Sequence, residues 1–222
     1  MQPYFLPYIG YFQLLNNVDS FVIYDNIQFT KKGWINRNRI LLNGNDQLFS
    51  LPLKKNSDYL NVDQRFLAES FNTEALKILR KIENSYRKAP NFKEVYPLIK
   101  QIFTYKEENL FMFILNSIKE INNYLGINTE IIVSSGIDID HSLTSSDKVL
   151  AICENLKGTN YINPVGGKDL YNKTNFEKNG IALQFLKSEL NTYPQFDNKF
   201  ISGLSILDVL MFNNKDKIMT SI

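Results

Sequence analysis

Residues 1–40 read MQPYFLPYIGYFQLLNNVDSFVIYDNIQFTKKGWINRNRI. Aromatic side chains crowd around Pro3, Pro7, Gly10 and Gly33, and the cations Lys31, Lys32, Arg37 and Arg39 follow. Pro3 and Pro7 each fix their own φ and hold the preceding residue extended, so they stiffen a loop. Gly10 admits a backbone or ligand where a Cβ would block it. Phe12, Leu14 and Leu15 suit one or two helical turns over Tyr11–Asn17. Phe21-Val22-Ile23-Tyr24 is a continuous apolar run, as in a strand covered on both faces, and Asp25 and Asn26 end it. Loop, helix, buried strand and polar loop make half of an α/β nucleotide-type unit. The alternative is an N-terminal packing layer with a solvated basic loop.

Working outward, Ile35–Leu42 and Gln47–Leu53 read as a hairpin about Asn43-Gly44, with a longer loop through Asn45 and Asp46 as the alternative. Arg37 and Arg39 then share one face, because alternate strand residues do. Lys54-Lys55-Asn56-Ser57 forms a second basic loop, and the two basic segments meet if the hairpin folds back. Three helices follow. They are Thr73–Asn84, a second from Pro90 to Tyr96 or through Pro97 to Thr104, and Glu107–Leu125 with Gly126 as its C-cap. Residues 70–126 are thus a helical layer or insertion. The remainder alternates strand and helix: Glu130–Ser134, a helix capped by Thr144, Thr159–Ile162, a helix from Lys168 to Asn179, Ile181–Leu186 and Leu204–Phe212. This pattern predicts an α/β fold with a Rossmann-like, mostly parallel sheet, a β-hairpin and a helical insertion, in a single domain over 1–222.

The chain has 222 residues, 44% hydrophobic and 22% charged, with 25 Lys and Arg against 23 Asp and Glu. A formal charge of +2 argues against wholesale nucleic-acid binding, so a positive site must be local. The lone cysteine, Cys153, excludes an intrachain disulfide and a cysteine metal cluster, and is expected to be a buried small hydrophobe. No signal peptide, lipidation motif or long apolar run is visible, so no membrane partner and a cytoplasmic location are expected.

QPYFLPYIGYFQLLNNVDSFVIYD and QFTKKGWINRNRIL, with Pro52-Leu53, Tyr161–Gly167, Gln195 and Ser205–Asp208, resemble the WbqC-like proteins of bacterial surface-polysaccharide (O-antigen) gene clusters. The resemblance covers nearly the whole chain. It implies a role in lipopolysaccharide assembly. It also implies a first strand ahead of the Gln-Pro pair, which is missing or nearly so here because Gln2 follows Met1.

Ligands of open parallel sheets bind beyond the carboxyl ends of the strands. Four clusters fall there: Gln2–Gly10, Asp25–Lys32, Ser134–His141 and Asn163–Lys168. In the last, Gly166 and Gly167 free main-chain N–H groups at a helix start and Lys168 adds charge, a phosphate or carboxylate site. It lacks P-loop spacing. Such glycines also occur without a ligand, and the resemblance favours function. Asp138 and Asp140 could orient His141, the one histidine, as a general base; a solvated loop is the competing reading. Nothing in the spacing asks for a metal. The opening loop is similar to those of nucleotidylyltransferases and pantothenate-synthetase-type ligases, which points to a nucleotide such as ATP. Those enzymes use paired histidines there, whereas Gln2, Tyr4 and Tyr11 stand here, which argues against adenylyl transfer.

These readings converge on a transferase or ATP-dependent ligase-like enzyme that takes a nucleotide-linked or other phosphorylated small molecule. Lys32, Arg37, Arg39 and Lys168 are assigned to phosphates, and Tyr4, Tyr11 and Trp34 to stacking. Asp25 and His141 are assigned to proton transfer, and Gln2, Gly10, Asn163, Gly166 and Gly167 to the lining. The alternative is a scaffold protein that docks a partner enzyme through its aromatic-basic stretch.

Overall fold

The structure, a computed structural model, describes residues 1–197 and 199–222. In chain order its elements are α1 (Ile9–Asn16), β1 (Ser20–Ile23), β2 (Arg37–Leu42), β3 (Asn45–Ser50), α2 (Phe71–Tyr86), α3 (Phe92–Phe103), α4 (Leu110–Leu125), β4 (Glu130–Val133), α5 (Ser145–Asn155), β5 (Asn160–Pro164), α6 (Lys173–Lys178), β6 (Ala182–Leu186), α7 (Ile206–Phe212) and α8 (Lys215–Met219). The fold is α/β. No helix among the described residues is long and apolar enough to cross a membrane.

The apolar run at 21–23 lies in β1, which pairs in parallel with β4 from Ser20↔Glu130 to Ile23↔Val133. β5 pairs in parallel with β6 from Asn160↔Ala182 to Pro164↔Leu186. Where the alternation of elements predicts one mainly parallel sheet, the structure has two parallel pairs. No strand among the described residues stands between β1 and β5. Met1 alone makes a parallel rung there, its amine donating to the Val22 carbonyl (2.6 Å) and its carbonyl accepting from the Tyr24 N–H (2.8 Å). A crevice of about 510 Å³ separates the pairs.

β2 and β3 form the antiparallel hairpin, Arg37↔Ser50 to Leu42↔Asn45. Asn43 (φ 51°) and Gly44 (φ 76°) are both left-handed, as a two-residue type I′ turn requires. The longer loop is not used. α4 buries Leu110, Phe113, Ile114, Ile118, Ile121 and Leu125 at helical spacing. Asn109 caps it by accepting from Met112 N–H, and Gly126 (φ 80°) ends it. Pro97 sits inside α3 without ending it.

The helices at 70–126 are a layer on the hairpin and opening loop. Phe5 packs edge-on to Phe49 and Phe103, with its centroid 5.6 Å from that of Phe113. One core cluster takes in α1–α4, β1, β2 and α7. A smaller one gathers Val149, Cys153, Phe176, Ile181 and Leu183 around β5 and β6. Cys153 is the buried hydrophobe expected, and burial pushes its thiol up to about 11.

Candidate functional site

Arg37 and Arg39 lie on one face of β2, and between them Asn38 points the other way and is fully buried. The Asn38 amide donates to the carbonyls of Phe5 (3.1 Å) and Leu6, and its oxygen accepts from the Tyr4 hydroxyl (3.3 Å) and Arg39 N–H (2.8 Å). Ser205 clamps the same loop from α7: its hydroxyl donates to Leu6 O and its N–H to Arg39 O. These grips hold Leu6 at φ 45°, a left-handed conformation costly for a side chain with a Cβ. The opening loop is thereby fixed against the base of the arginine pair.

Trp34, 37% exposed, forms the centre of this face. The guanidinium carbons of Arg37 and Arg39 stand 5.5 and 5.6 Å from its ring centroid, and the Tyr4 ring lies 6.2 Å away. Arg37 donates to the carbonyls of Gly33 (2.6 Å) and Lys32 and makes no ion pair among the described residues. Arg39 donates to Asp46 (3.0 Å) and Gly203 O (3.2 Å), while its buried Nε–H has no partner. The two basic loops do meet. Lys31 pairs with Asp58 at 2.8 Å, Gln28 donates to Asp58 O, and the buried Arg65 donates to Ser57 O and Lys54 O with its guanidinium over Phe29. Among the described residues, Lys31, Lys32, Arg37, Arg39, Lys54 and Lys55 are thus met in ion pairs by the carboxylates of Asp46, Asp58 and Glu108 alone.

A second cluster forms where β1 and β4 end. Asp25, 5% exposed, accepts from the Ser134 hydroxyl (2.9 Å) and Ser135 N–H (3.0 Å). Ser134 Oγ is also 2.7 Å from Asn26 Oδ1, and the Asn26 amide donates to His141 Nδ1 at 3.0 Å. His141 Nε2–H donates to Ile137 O (3.0 Å). Asp25 and His141 therefore belong to one network, with both imidazole nitrogens occupied by protein. Asp63 N–H donates to Asp25 O. Burial first, then the Asp25 charge, raises the Asp63 carboxyl, and its buried Oδ1 has no partner.

Tyr11, Gly10 and the segment Gly166–Lys168 take other places. Tyr11, 2% exposed, packs on Phe12 and Phe21 and donates to Gln2 O, so it offers no stacking face; Gln2 itself is exposed. At Gly10 a Cβ would run into the Tyr8 ring and the Ser188 hydroxyl, so the glycine serves packing. The helix predicted from Lys168 begins at Lys173, where the Asn172 side chain caps it by accepting from Thr174 N–H. Gly166, Gly167 and Lys168 lie instead in a short 3-10 turn, Val165–Leu170. A Cβ at Gly167 would meet the Asn163 amide and make that side chain shift, whereas Gly166 faces open space. Among the described residues no group of three or more His, Cys, Asp and Glu could hold a metal ion.

Asn26 and Ser134 enter the sequence reading only as members of polar clusters and Ser205 only through the resemblance, each without a role, and Asn38 and Asp63 do not enter it. Asn38 carries a local signal all the same, a polar residue in the inward register with Ile40 of a strand.

A sequence model described as the WbqC-like protein family matches residues 2–220. The chain belongs to that family. A relative of this WbqC-like chain, the Mycobacterium tuberculosis protein called "Uncharacterized protein Rv1507c", is 26% identical over 96% of this chain and 91% of its own. No solved structure matches.

Proposed function

We propose that this WbqC-like protein is an enzyme of bacterial surface-polysaccharide assembly. It binds a nucleotide-linked sugar or another phosphorylated small molecule at the Trp34–Arg37–Arg39 face, and transfers or activates an acyl or aminoacyl group. The observation that carries the reading is the half-open Trp34 ring between two guanidiniums, only one of which meets a carboxylate. Charge-assisted bonds from such donors contribute about 1.5–3 kcal/mol each. Asp25, buried beside Ser134 and close to Asp63, is the group suited to take a proton. His141 orients Asn26 rather than reaching a substrate, since both its nitrogens are engaged. The glycan setting comes from the family resemblance.

The test is calorimetric titration with UDP-N-acetylglucosamine, ADP and inorganic pyrophosphate. Arg37→Ala is expected to weaken pyrophosphate binding about tenfold or more. Equal affinities of variant and wild type would remove Arg37 from the site. One observation favours the scaffold reading instead: Tyr59 is 85% exposed beside the Lys31–Asp58 pair. Capture of a partner enzyme, lost in Tyr59→Ala and indifferent to pyrophosphate, would support it.

A further inference from the structure

Asp25, Ser134, Asn26 and His141 form one line of contacts between the ends of β1 and β4 and the loop before α5, and each contact needs a hydrogen. The Ile137 carbonyl only accepts, so His141 Nε2, 3.0 Å away, carries a hydrogen in every state. His141 Nδ1, 3.0 Å from the Asn26 amide, is then either a bare acceptor or the second N–H of an imidazolium. Ser134, fully buried, has one hydroxyl hydrogen and two acceptors, Asn26 Oδ1 at 2.7 Å and Asp25 Oδ1 at 2.9 Å. With His141 neutral, Asn26 donates to Nδ1 and turns its oxygen to Ser134. The single hydroxyl hydrogen then serves one oxygen, and the other stands bare against Ser134 Oγ. With His141 charged, a half turn of the Asn26 amide gives its oxygen to Nδ1–H and its nitrogen to Ser134, and the hydroxyl hydrogen goes to Asp25. Every contact then has its hydrogen while Asp25 is ionised. Other charges stand close by. Asp140 takes the Ser142 N–H (2.9 Å) and hydroxyl (2.6 Å), and Lys148 of α5 has its Nζ 3.5 Å from His141 O and 5.6 Å from the Tyr24 ring centroid. Asp63 gives its N–H to Asp25 O. Among the described residues none of these three bonds to the side chain of Asn26 or Ser134.

We propose that Asn26 and Ser134 are positioning residues that tie the base strength of Asp25 to the charge of His141. The imidazolium turns Asn26, Asn26 turns Ser134, and Ser134 donates to Asp25. A hydrogen bond to a carboxylate favours its charged form, so Asp25 is then a weak base. Loss of the imidazole proton reverses the line and sets an oxygen without a hydrogen against Asp25 or Asn26. A proton taken up by Asp25 relieves that conflict, so Asp25 becomes the stronger acceptor. No proton crosses the amide. Orientation passes along the line, and the exposed His141 exchanges its own proton with water. Histidine side chains change charge between about pH 5 and 8, and groups coupled in this way titrate together. This inference rests on the reading of Asp25 as the group that takes a proton, and names what regulates it.

The experiment follows the full chain by NMR from about pH 5 to 8. It reads the His141 ring nitrogens and the Asp25 carboxyl carbon, the latter assigned by its loss in Asp25→Asn. In wild type the Asp25 signal is expected to step at the midpoint of the His141 titration, with the Nε2–H tautomer at the upper end. Asn26→Leu and Ser134→Ala each cut the line and keep the charges at both ends. Each is expected to lose the Asp25 step, whereas a direct attraction through space would survive them; should one misfold, the other decides. Asp63→Asn is expected to keep the step. Absence of the step in wild type, its persistence in the variants that cut the line, or its loss in Asp63→Asn overturns the inference. Pyrophosphate binding that depends on Arg37, with no step at Asp25, overturns the line and spares the anion face. A step lost in the cut variants, with pyrophosphate binding indifferent to Arg37→Ala, upholds the line and overturns the anion face.

Discussion

At the residue scale the decisive side chain is Asn38, whose two N–H groups and two acceptor positions are all used. Asn38→Ala leaves the Phe5 and Leu6 carbonyls short of buried donors, each worth about 1–3 kcal/mol when orphaned. The expected destabilisation in urea unfolding is therefore about 2–4 kcal/mol; a loss under about 1 kcal/mol would mean that Ser205 alone holds the loop. These residues also show how far a sequence can be read. The inward register of Asn38 is visible in the alternation of β2. Its grip on Phe5 and Leu6, more than thirty residues away, is not, because nothing local encodes a long-range partner. Tyr11 and Trp34 look alike as aromatics near polar residues. One is 2% exposed and the other 37%, a difference set by tertiary packing.

At the scale of elements, legibility follows the locality of the chemistry. Asn43-Gly44 and Gly126 carry their left-handed conformations in their residue types, so the hairpin and the end of α4 are read correctly. The segment after β5 is misread because Gly166 and Gly167 resemble a helix start, whereas Asn172 supplies the cap that nucleates α6. The buried Asp208 joins elements that sequence leaves separate. It accepts from Tyr86 of α2 (2.8 Å), Tyr193 (2.6 Å) and Gln195 (2.7 Å), while Tyr86 accepts from Leu41 N–H of β2. Burial raises the Asp208 carboxyl above its ordinary value despite these donors. The folded state then binds its proton more tightly than the unfolded state. Stability from this group is lowest at neutral pH and grows as the pH falls through the raised value toward about 4. Asp208→Asn, which cannot titrate, is expected to lose about 1–3 kcal/mol at pH 7 in urea melts. The gap to wild type should widen on acidification; a narrowing gap would contradict the sign.

At the scale of the whole molecule, a chain of almost balanced charge brings its two basic loops together. The crossings that join them, Lys31 to Asp58 and Arg65 to Ser57, are foreseeable only as a condition, that the hairpin folds back. Anion binding there is expected to weaken with salt, since partly exposed charges are screened over about 8–10 Å at 0.1–0.15 M. The interior is unequal too. The β5–β6 pair rests on the small cluster around Phe176, while α4 and β1 belong to the large one. No strand pairing joins the two halves among the described residues. Units with few buried contacts open at lower free energy than the global transition. Amides of β5 and β6 should therefore exchange with deuterium at least about tenfold faster than those in the middle of α4. Uniform protection across both would show that the halves open as one.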